Sequence, residues 1–229
     1  MLINIHSDIC RRYPEYLMGV MEIIIAQYDI EKLHQAIIIE THSVSLPSRN
    51  AEVEAKWLQV FADMNASEKR LPSVISLWNL QERFSELRSI NYFVDAYNHI
   101  STKHGIPMGG YDVAKLPADD ITLRFAKKGD KFQPLGLNQI EKIKDENEIV
   151  YYSGNDVICR YWNNKDSEMT KVTENTTKLV VIFDFFGNLE DLRMAMNDFE
   201  KLLNSTSDMK SHHKSILSAT KPSVSTELF

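Results

Sequence analysis

The stretch that decides the fold is Leu71–Asp112, which reads LPSVISLWNLQERFSELRSINYFVDAYNHISTKHGIPMGGYD. Its second half has the apolar spacing of a helix and leads directly into a Gly-Gly-Tyr-Asp turn at residues 109–112. That helix nevertheless carries Asn91, Asp95 and Asn98. Burying such polar groups without partners costs about 1–3 kcal/mol each. They therefore either face a binding site or form a network that holds the helix against the turn, and we favour the network.

The composition is that of an average soluble globular protein, with 43% hydrophobic and 25% charged residues among 229. No apolar run reaches the roughly 18 residues that a membrane span requires. Near the N-terminus, Arg11 and Arg12 follow the apolar residues, which is the wrong order for a secretory signal. Cys10 and Cys159 lie too far apart to form a metal or redox motif. We therefore expect a cytoplasmic protein with no membrane association.

The formal net charge of −6 argues against a protein that binds nucleic acid by bulk electrostatics, because such proteins usually have a strong basic excess. Two groups of lysines depart from this acidic average, and each is either a solvated surface or a local basic face. They are Lys127, Lys128 and Lys131 around a Gly-Asp turn, and Lys165, Lys171 and Lys178 beside a polar loop. The sequence leaves both interpretations open.

The first half of the chain has the apolar patterns of one buried strand followed by several helices. The continuous β-branched run Tyr16–Gln27 predicts a buried strand, and Ala36–Glu40 predicts either a second strand or part of a helix. Three further helices are predicted from apolar residues at helical spacing. They lie at Arg49–Met64 with Ser48 as the N-cap, after Pro72, and at Ser89–Lys103.

After residue 105 the hydrophobic period changes to that of strands. Short strands separated by turn residues are predicted at Ile121–Phe125, Glu148–Tyr152, Val157–Trp162 and Leu179–Phe183. Asn188 then caps a last helix that extends to Leu203. From Ser205 the composition turns polar, so we expect a flexible tail at 205–229 behind a single domain at 1–204. Helices followed by strands indicate a layered α+β fold.

The chain lacks the common motifs of nucleotide binding and covalent catalysis. It has no Walker loop, no dinucleotide-binding glycine fingerprint and no Gly-x-Ser-x-Gly elbow. Its histidines form no metal-binding pattern, and His212–His213 lies in the predicted tail, so we predict no cofactor and no metal. Cys159 lies on a predicted strand, where a small core residue is the simpler interpretation than a nucleophile. Arg160 follows it and points to the opposite face, because side chains alternate along a strand.

A second polar cluster, Arg160–Ser167, lies at the end of the third predicted strand. Trp162 offers a stacking surface, and the polar residues after it offer hydrogen-bond donors and acceptors. The paired glycines Gly109 and Gly110 in the first cluster let a ligand or another backbone come close. Each cluster is therefore either part of a binding surface or a local structural feature. The structural alternatives are a polar network for the first and a decorated hairpin for the second.

Three sequence segments, taken together and in this order, are specific for one protein family. Residues 89–116 form a helix with Asn and Asp followed by Pro-x-Gly-Gly-Tyr-Asp, and residues 121–136 contain Arg-x-Ala-x-x-Gly-Asp. Residues 148–184 contain Val-x-Cys-Arg-x-Trp-Asn and a threonine-rich return. Together they resemble the B3/B4 domain of the bacterial phenylalanyl-tRNA synthetase β subunit, in a free-standing form. The resemblance covers residues 48–203.

The resemblance implies an α+β fold, namely a three-layer ββα sandwich with additional N-terminal helices and a pocket between the sheets. In the synthetase this pocket hydrolyses the wrong amino acid from mischarged tRNA. The resemblance therefore implies a trans-editing aminoacyl-tRNA deacylase whose partner is tRNA or aminoacyl-tRNA, or a free amino acid. The alternative is a non-catalytic RNA- or amino-acid-binding module with the same fold. A ligase is not expected in a chain this short, and the oligomeric state is not implied.

The same resemblance implies the residues of the pocket. Asp184 and Arg160 would set its charge and position water, as the catalytic residues. The residues implied in substrate binding are Gly109, Gly110, Tyr111, Trp162, Asn163, Asn164, Asp166 and Ser167. The chain departs from the synthetase at four of these positions: Gly109 replaces a histidine, Asn163 and Asn164 replace a glycine pair, and Asp184 is the carboxylate nearest to the pocket glutamate.

Overall fold

The structure is a computed structural model that describes residues 1–43, 49–84 and 87–226. Its helices are α1 (Ser7–Arg12), α2 (Ile30–Ser43), α3 (Ala51–Asp63), α4 (Ser73–Phe84), α5 (Tyr92–His104) and α6 (Leu189–Thr206). Its strands are β1 (Leu2–Ile5), β2 (Tyr16–Tyr28), β3 (Met108–Asp112), β4 (Asp120–Phe125), β5 (Lys131–Phe132), β6 (Glu141–Lys142), β7 (Ile149–Ser153), β8 (Asp156–Arg160), β9 (Lys165–Asp166), β10 (Lys178–Phe186), β11 (Ser207–Leu217) and β12 (Ser223–Ser225).

Within the described residues the strands form two sheets. The eight-stranded sheet has the order β12-β1-β4-β7-β8-β5-β6, with β9 paired to β8. The four-stranded sheet has the order β11-β2-β10-β3, and all of its strand pairs are antiparallel. Strand β3 is therefore an edge strand, beside the long central strand β10.

The two sheets and the helices form three layers with a hydrophobic core on each side of the four-stranded sheet. Strand β10 belongs to both cores: Val180 and Ile182 pack between the sheets, whereas Val181 and Phe183 pack against helices α5 and α6. Because both of its faces are buried, β10 is continuously apolar rather than alternating. This arrangement confirms the predicted α+β, three-layer ββα fold, with helices α1 to α3 added at the N-terminal side.

Side-chain caps fix the starts of the helices that the sequence predicts. Helix α5 begins after Asn91, whose side chain accepts the Val94 amide, and α6 begins after Asn188 in the same way. Helix α3 is capped by Asn50, while the predicted cap Ser48 lies outside the described residues. None of the helices in the described ranges is long and apolar enough to cross a membrane.

Two sequence predictions about local structure are wrong, and one that left two alternatives open is decided. The segment 36–40 is helical and lies within α2, so the strand alternative fails. The Gly-Gly-Tyr-Asp segment is not a turn but most of β3, since its backbone pairs with β10. The segment after residue 205 does not form a flexible tail in its described part, because β11 pairs with β2 and β12 with β1. Its polar composition misled the prediction: β11 is an edge strand held by backbone bonds, with Leu217 buried at its end.

Candidate functional site

A cavity of about 610 Å³ lies at the β3 edge of the four-stranded sheet. Its walls come from the start of α4, one face of α5, strands β3 and β10, and the loop that follows β8. The cavity is lined by all of the predicted site residues except Arg160: Gly109, Gly110, Tyr111, Trp162, Asn163, Asn164, Asp166, Ser167 and Asp184. The structure thus brings together residues that are up to 75 positions apart in the chain.

Asp184 is the most deeply buried carboxylate of this cavity, with 2% of its surface exposed. Its Oδ1 accepts hydrogen bonds from the hydroxyls of Tyr16 and Tyr151, both at 2.5 Å, and from Nε1 of Trp162 at 3.0 Å. Its Oδ2 accepts a longer bond of 3.4 Å from Nδ2 of Asn163. Oδ2 is therefore the oxygen that retains the greater capacity to accept a hydrogen bond from a ligand or water.

Burial raises the pKa of Asp184 to about 6, although the hydrogen bonds from the two tyrosines and Trp162 favour its ionised form. Burial, together with the charge of Asp184, also raises the pKa of Tyr16 and Tyr151 well above the ordinary value. Both hydroxyls therefore stay protonated and act as donors. At neutral pH the fully buried Asp184 is consequently ionised, and the three donors at its Oδ1 hold the carboxylate in place.

A strained turn places Trp162 against this carboxylate. Tyr161 and Trp162 both have positive φ angles, of 49° and 62°, in the left-handed region that non-glycine residues rarely occupy. The turn ends β8 at Arg160, two residues earlier than the sequence predicts, and the Trp162 amide donates to the carbonyl of Ile149 at 2.7 Å. Such strain costs about 1–3 kcal/mol per residue and tends to occur at functional sites.

The two asparagines after the turn connect it to the start of α4. Oδ1 of Asn163 accepts the Ser73 amide at 3.2 Å, and Nδ2 of Asn164 donates to the Leu71 carbonyl at 2.7 Å. Both side chains line the cavity, yet each already has a partner in the protein. Their geometry is that of residues that hold the wall in place, and Asn163 also contacts Asp184 directly.

Arg160 does not line the cavity, which corrects the position expected for it. Its guanidinium donates to Glu148 from Nε at 2.7 Å and from Nη2 at 2.8 Å, and to Glu141 from Nη1 at 2.8 Å. Because side chains alternate along β8, Cys159 faces the cavity and Arg160 faces the other side of the sheet. Glu148 is fully buried, so this pair stabilises the fold and does not act in the cavity.

The opposite wall of the cavity carries Cys159 and Asp166, which are register partners on β8 and β9. Burial raises the pKa of the Cys159 thiol well above its ordinary value, and Asp166 raises it further. The thiolate is therefore disfavoured, which argues against a nucleophilic cysteine. Ser167 is buried, with its hydroxyl donating to the Gln133 carbonyl and accepting the Met169 amide.

The polar residues of α5 divide into two roles. Asn91 caps the helix and also donates to the Val172 carbonyl at 3.4 Å, and Asp95 accepts bonds from Ser89 and His34. These two residues thus stabilise local structure, although not through the predicted contact with the Gly-Gly-Tyr-Asp segment. Asn98 lies on the cavity wall, which Asn91 also lines.

Sequence reasoning missed the two tyrosines that bind Asp184. Tyr16 begins β2 and Tyr151 lies in β7, and each is a tyrosine in an otherwise mostly apolar strand. A buried tyrosine usually needs a hydrogen-bond partner, so these positions carried a usable signal. Nothing in the sequence alone, however, connects them with the carboxylate on β10.

Comparisons of the sequence with known proteins identify relatives of this chain. The sequence profile of the B3/4 domain matches residues 70–206. The phenylalanine–tRNA ligase beta subunit of Lactiplantibacillus plantarum is 26% identical over 163 residues, which are 67% of this chain and 17% of that subunit. The corresponding subunit of Colwellia psychrerythraea is 35% identical over 128 residues, 52% of this chain and 14% of that subunit. The chain therefore matches less than a fifth of the length of either relative.

A solved structure also resembles the chain, namely an N-terminal fragment of the phenylalanyl-tRNA synthetase beta subunit from Pyrococcus horikoshii. The alignment covers 93% of this chain and 53% of that fragment, with 14% identity and a TM-score of 0.48. The assignment rests on the profile match, which covers more than half of the sequence and includes α4, α5, every cavity-lining strand and α6. The chain belongs to the B3/4 domain family.

Proposed function

We propose that the protein is a trans-acting aminoacyl-tRNA deacylase, which binds the aminoacyl end of a mischarged tRNA in this cavity and hydrolyses the ester. The observation that carries the proposal is the buried Asp184, whose Oδ1 accepts three donors while Oδ2 accepts one long bond from Asn163 and can accept another from the cavity. The relatives are subunits of a ligase that acts on tRNA, which supports tRNA as the source of the substrate.

The chemistry asks little of the protein, because an aminoacyl ester is already activated. In the proposed step Oδ2 of Asp184 accepts a hydrogen bond from a water molecule and orients it toward the ester carbonyl. The water oxygen bonds to the carbonyl carbon as its proton passes to Oδ2 of Asp184. The ester C–O bond then breaks, and the departing tRNA oxygen takes this proton, which releases the amino acid and the tRNA hydroxyl and regenerates the carboxylate. Orientation and stabilisation of the oxyanion supply the rate enhancement.

Edge strand β3 offers a donor for the oxyanion. The Asp112 amide points away from β10 and donates to the Thr170 carbonyl at 3.0 Å. Gly110 lies two residues earlier on the same strand, so its amide is directed to the same side. A side chain at Gly109 or Gly110 would cover this backbone, which gives the glycine pair a role in close approach of the ester.

The second candidate is a module that binds an aminoacyl group or RNA without hydrolysis. The observation in its favour is that four protein donors already bond to Asp184. These bonds stabilise the ionised carboxylate, which suits it to binding a cationic group more than to accepting a proton from water. The acidic net charge of −6 also gives little general attraction for tRNA.

A deacylation screen separates the two candidates. The purified full chain is incubated with tRNAs charged with each amino acid in turn, and loss of the ester is followed against spontaneous hydrolysis. The deacylase predicts accelerated loss for a small subset of the charged tRNAs. Measurable binding of charged tRNA without accelerated loss of any ester would refute the deacylase and favour the binding module.

A further inference from the structure

The wall of the cavity has an unbalanced charge. Four carboxylates line it. Among the described residues, Lys171 is the one basic side chain that lines it. Lys171 is already paired with Glu168 at 2.5 Å. The carboxylates are Asp166, Glu168, Glu174 and Asp184. The cavity is thus an acidic site with apolar walls, and the charge of Lys171 is neutralised by Glu168.

Asp184 is buried and Asp166 is partly buried, whereas Glu174 is exposed and Glu168 is paired with Lys171. Within the described residues neither aspartate forms an ion pair: the protein bonds to Asp184 come from hydroxyl, indole and amide groups, and Asp166 has the Cys159 thiol against it. Burial raises the pKa of Asp166 as well, and no neighbouring cation opposes this effect. A carboxylate that is withdrawn from water and has no cation beside it is stabilised when a ligand supplies one, and this holds fully for Asp184 and in part for Asp166.

The two carboxylates are attached to opposite walls. Asp166 belongs to β9 of the eight-stranded sheet, and Asp184 belongs to β10 of the four-stranded sheet. Tyr111 lies close enough to be influenced by the charge of each, so both face the same interior. They therefore present two separate anchor points, and the proposed hydrolysis uses only Asp184.

We propose that Asp166 determines specificity by binding a cationic side chain, so that the preferred substrate is tRNA carrying a basic amino acid such as lysine or ornithine. This proposal rests on the proposed function, since it names the substrate class of the same cavity. Asp166 would pair with the side-chain ammonium, while Asp184 orients water at the ester. An ammonium group matches a compact acceptor within an otherwise apolar wall, and a neutral side chain of the same length leaves the carboxylate unpaired.

The test uses amino-acid amides, which lack the free carboxylate just as the ester does. Binding of lysinamide and of norleucinamide to the full chain is measured by calorimetry, because the two ligands have similar chains and differ in the side-chain ammonium. We expect lysinamide to bind at least about tenfold more tightly. Asp166→Asn should abolish the difference, and Glu190→Gln, which removes one negative charge from an exposed site on α6, should leave it unchanged.

Equal binding of the two amides would overturn the proposal, because it would show that only the shared α-ammonium is recognised. A difference that persists in Asp166→Asn would overturn it too, as would the absence of binding by both. These outcomes are separate from those of the deacylation screen. Selective lysinamide binding without hydrolysis would refute the deacylase alone, and hydrolysis that favours neutral aminoacyl groups would refute the specificity alone.

Discussion

The indole Nε1 of Trp162 donates to Oδ1 of Asp184 at 3.0 Å, so the loop after β8 of one sheet is bonded to the central strand of the other. The bond depends on the left-handed backbone at 161–162, which turns the indole toward the interior. Trp162 is fully buried and packs edge-on against Tyr16, with ring centroids 4.9 Å apart. The carboxylate and the wall of the cavity are therefore fixed by one connected set of contacts.

Replacing the central carboxylate tests whether it takes part in hydrolysis. Asp184→Asn keeps the shape of the side chain but removes the negative charge that orients water, so we expect the deacylation rate to fall at least about a hundredfold. The rate is measured at saturating charged tRNA, and circular dichroism checks that the variant is folded. Glu190→Gln on the exposed part of α6 is the matched control. An unchanged rate in folded Asp184→Asn would exclude Asp184 from the reaction.

The same residue makes stability depend on pH. Its pKa is about 6 in the folded chain and near the ordinary 3.8 when unfolded, so the folded state holds the proton more tightly. The free energy of unfolding should therefore fall by about 3 kcal/mol from this residue as pH rises from about 4 to above 6. Asp184→Asn should lack this decrease. Denaturant unfolding at a series of pH values measures it, and parallel profiles of the two proteins would contradict the assignment.

Arg160 is expected to matter for stability alone. Its replacement leaves Glu148 buried without a partner, and breaking a buried ion pair in this way typically costs about 3–5 kcal/mol. Arg160→Met should therefore lower the free energy of unfolding by that amount while the folded protein keeps its deacylation rate. Arg193→Met removes an exposed pair and should cost less than about 1 kcal/mol. A lower deacylation rate in folded Arg160→Met would show that Arg160 takes part in catalysis.

The C-terminal segment should be required for the fold. A chain that ends at Thr206 lacks β11. Strand β2 then becomes an exposed edge strand, and the side chains that pack against β11 become accessible to solvent. We expect this truncated chain to be insoluble or to melt well below the full chain. Leu217→Asp, at a fully buried position of β11, should weaken the full chain in the same direction. If the truncated chain were as stable as the full chain, the segment after residue 205 would be the flexible tail that the composition indicates.

The parts of the fold that the sequence predicts correctly are those with strong local signals. Helix α6 has an apolar stripe and the Asn188 cap, and β10 is a long apolar run, so each is readable without knowledge of its neighbours. Strand β11 carries no comparable signal, because backbone pairing with β2 holds it in place. Its side chains, largely polar, resemble those of a disordered tail.

The cavity is predictable for the residues that lie in recognisable motifs, such as Gly109, Gly110 and Trp162. Arg160 belongs to the same motif, but the alternation of β8 directs it to Glu148 rather than into the cavity. Tyr16 is missed for the opposite reason, since its contact with Asp184 spans 168 positions and follows only from the packing of the sheets. Motifs thus identify the wall, whereas the tertiary fold decides which side chains face the interior.

Substitutions at Gly109 show whether hydrolysis takes place in this cavity. The nearest atom to a Cβ at Gly109 would be the Tyr111 hydroxyl at 3.8 Å, so Gly109→Ala fits without strain and Gly109→Leu projects a larger group over the cavity wall. The measurement is the rate of ester loss from the charged tRNA that the wild-type chain cleaves fastest. We predict that Gly109→Ala keeps most of this rate and that folded Gly109→Leu loses nearly all of it. Equal rates for wild type and folded Gly109→Leu would show that hydrolysis does not take place in this cavity.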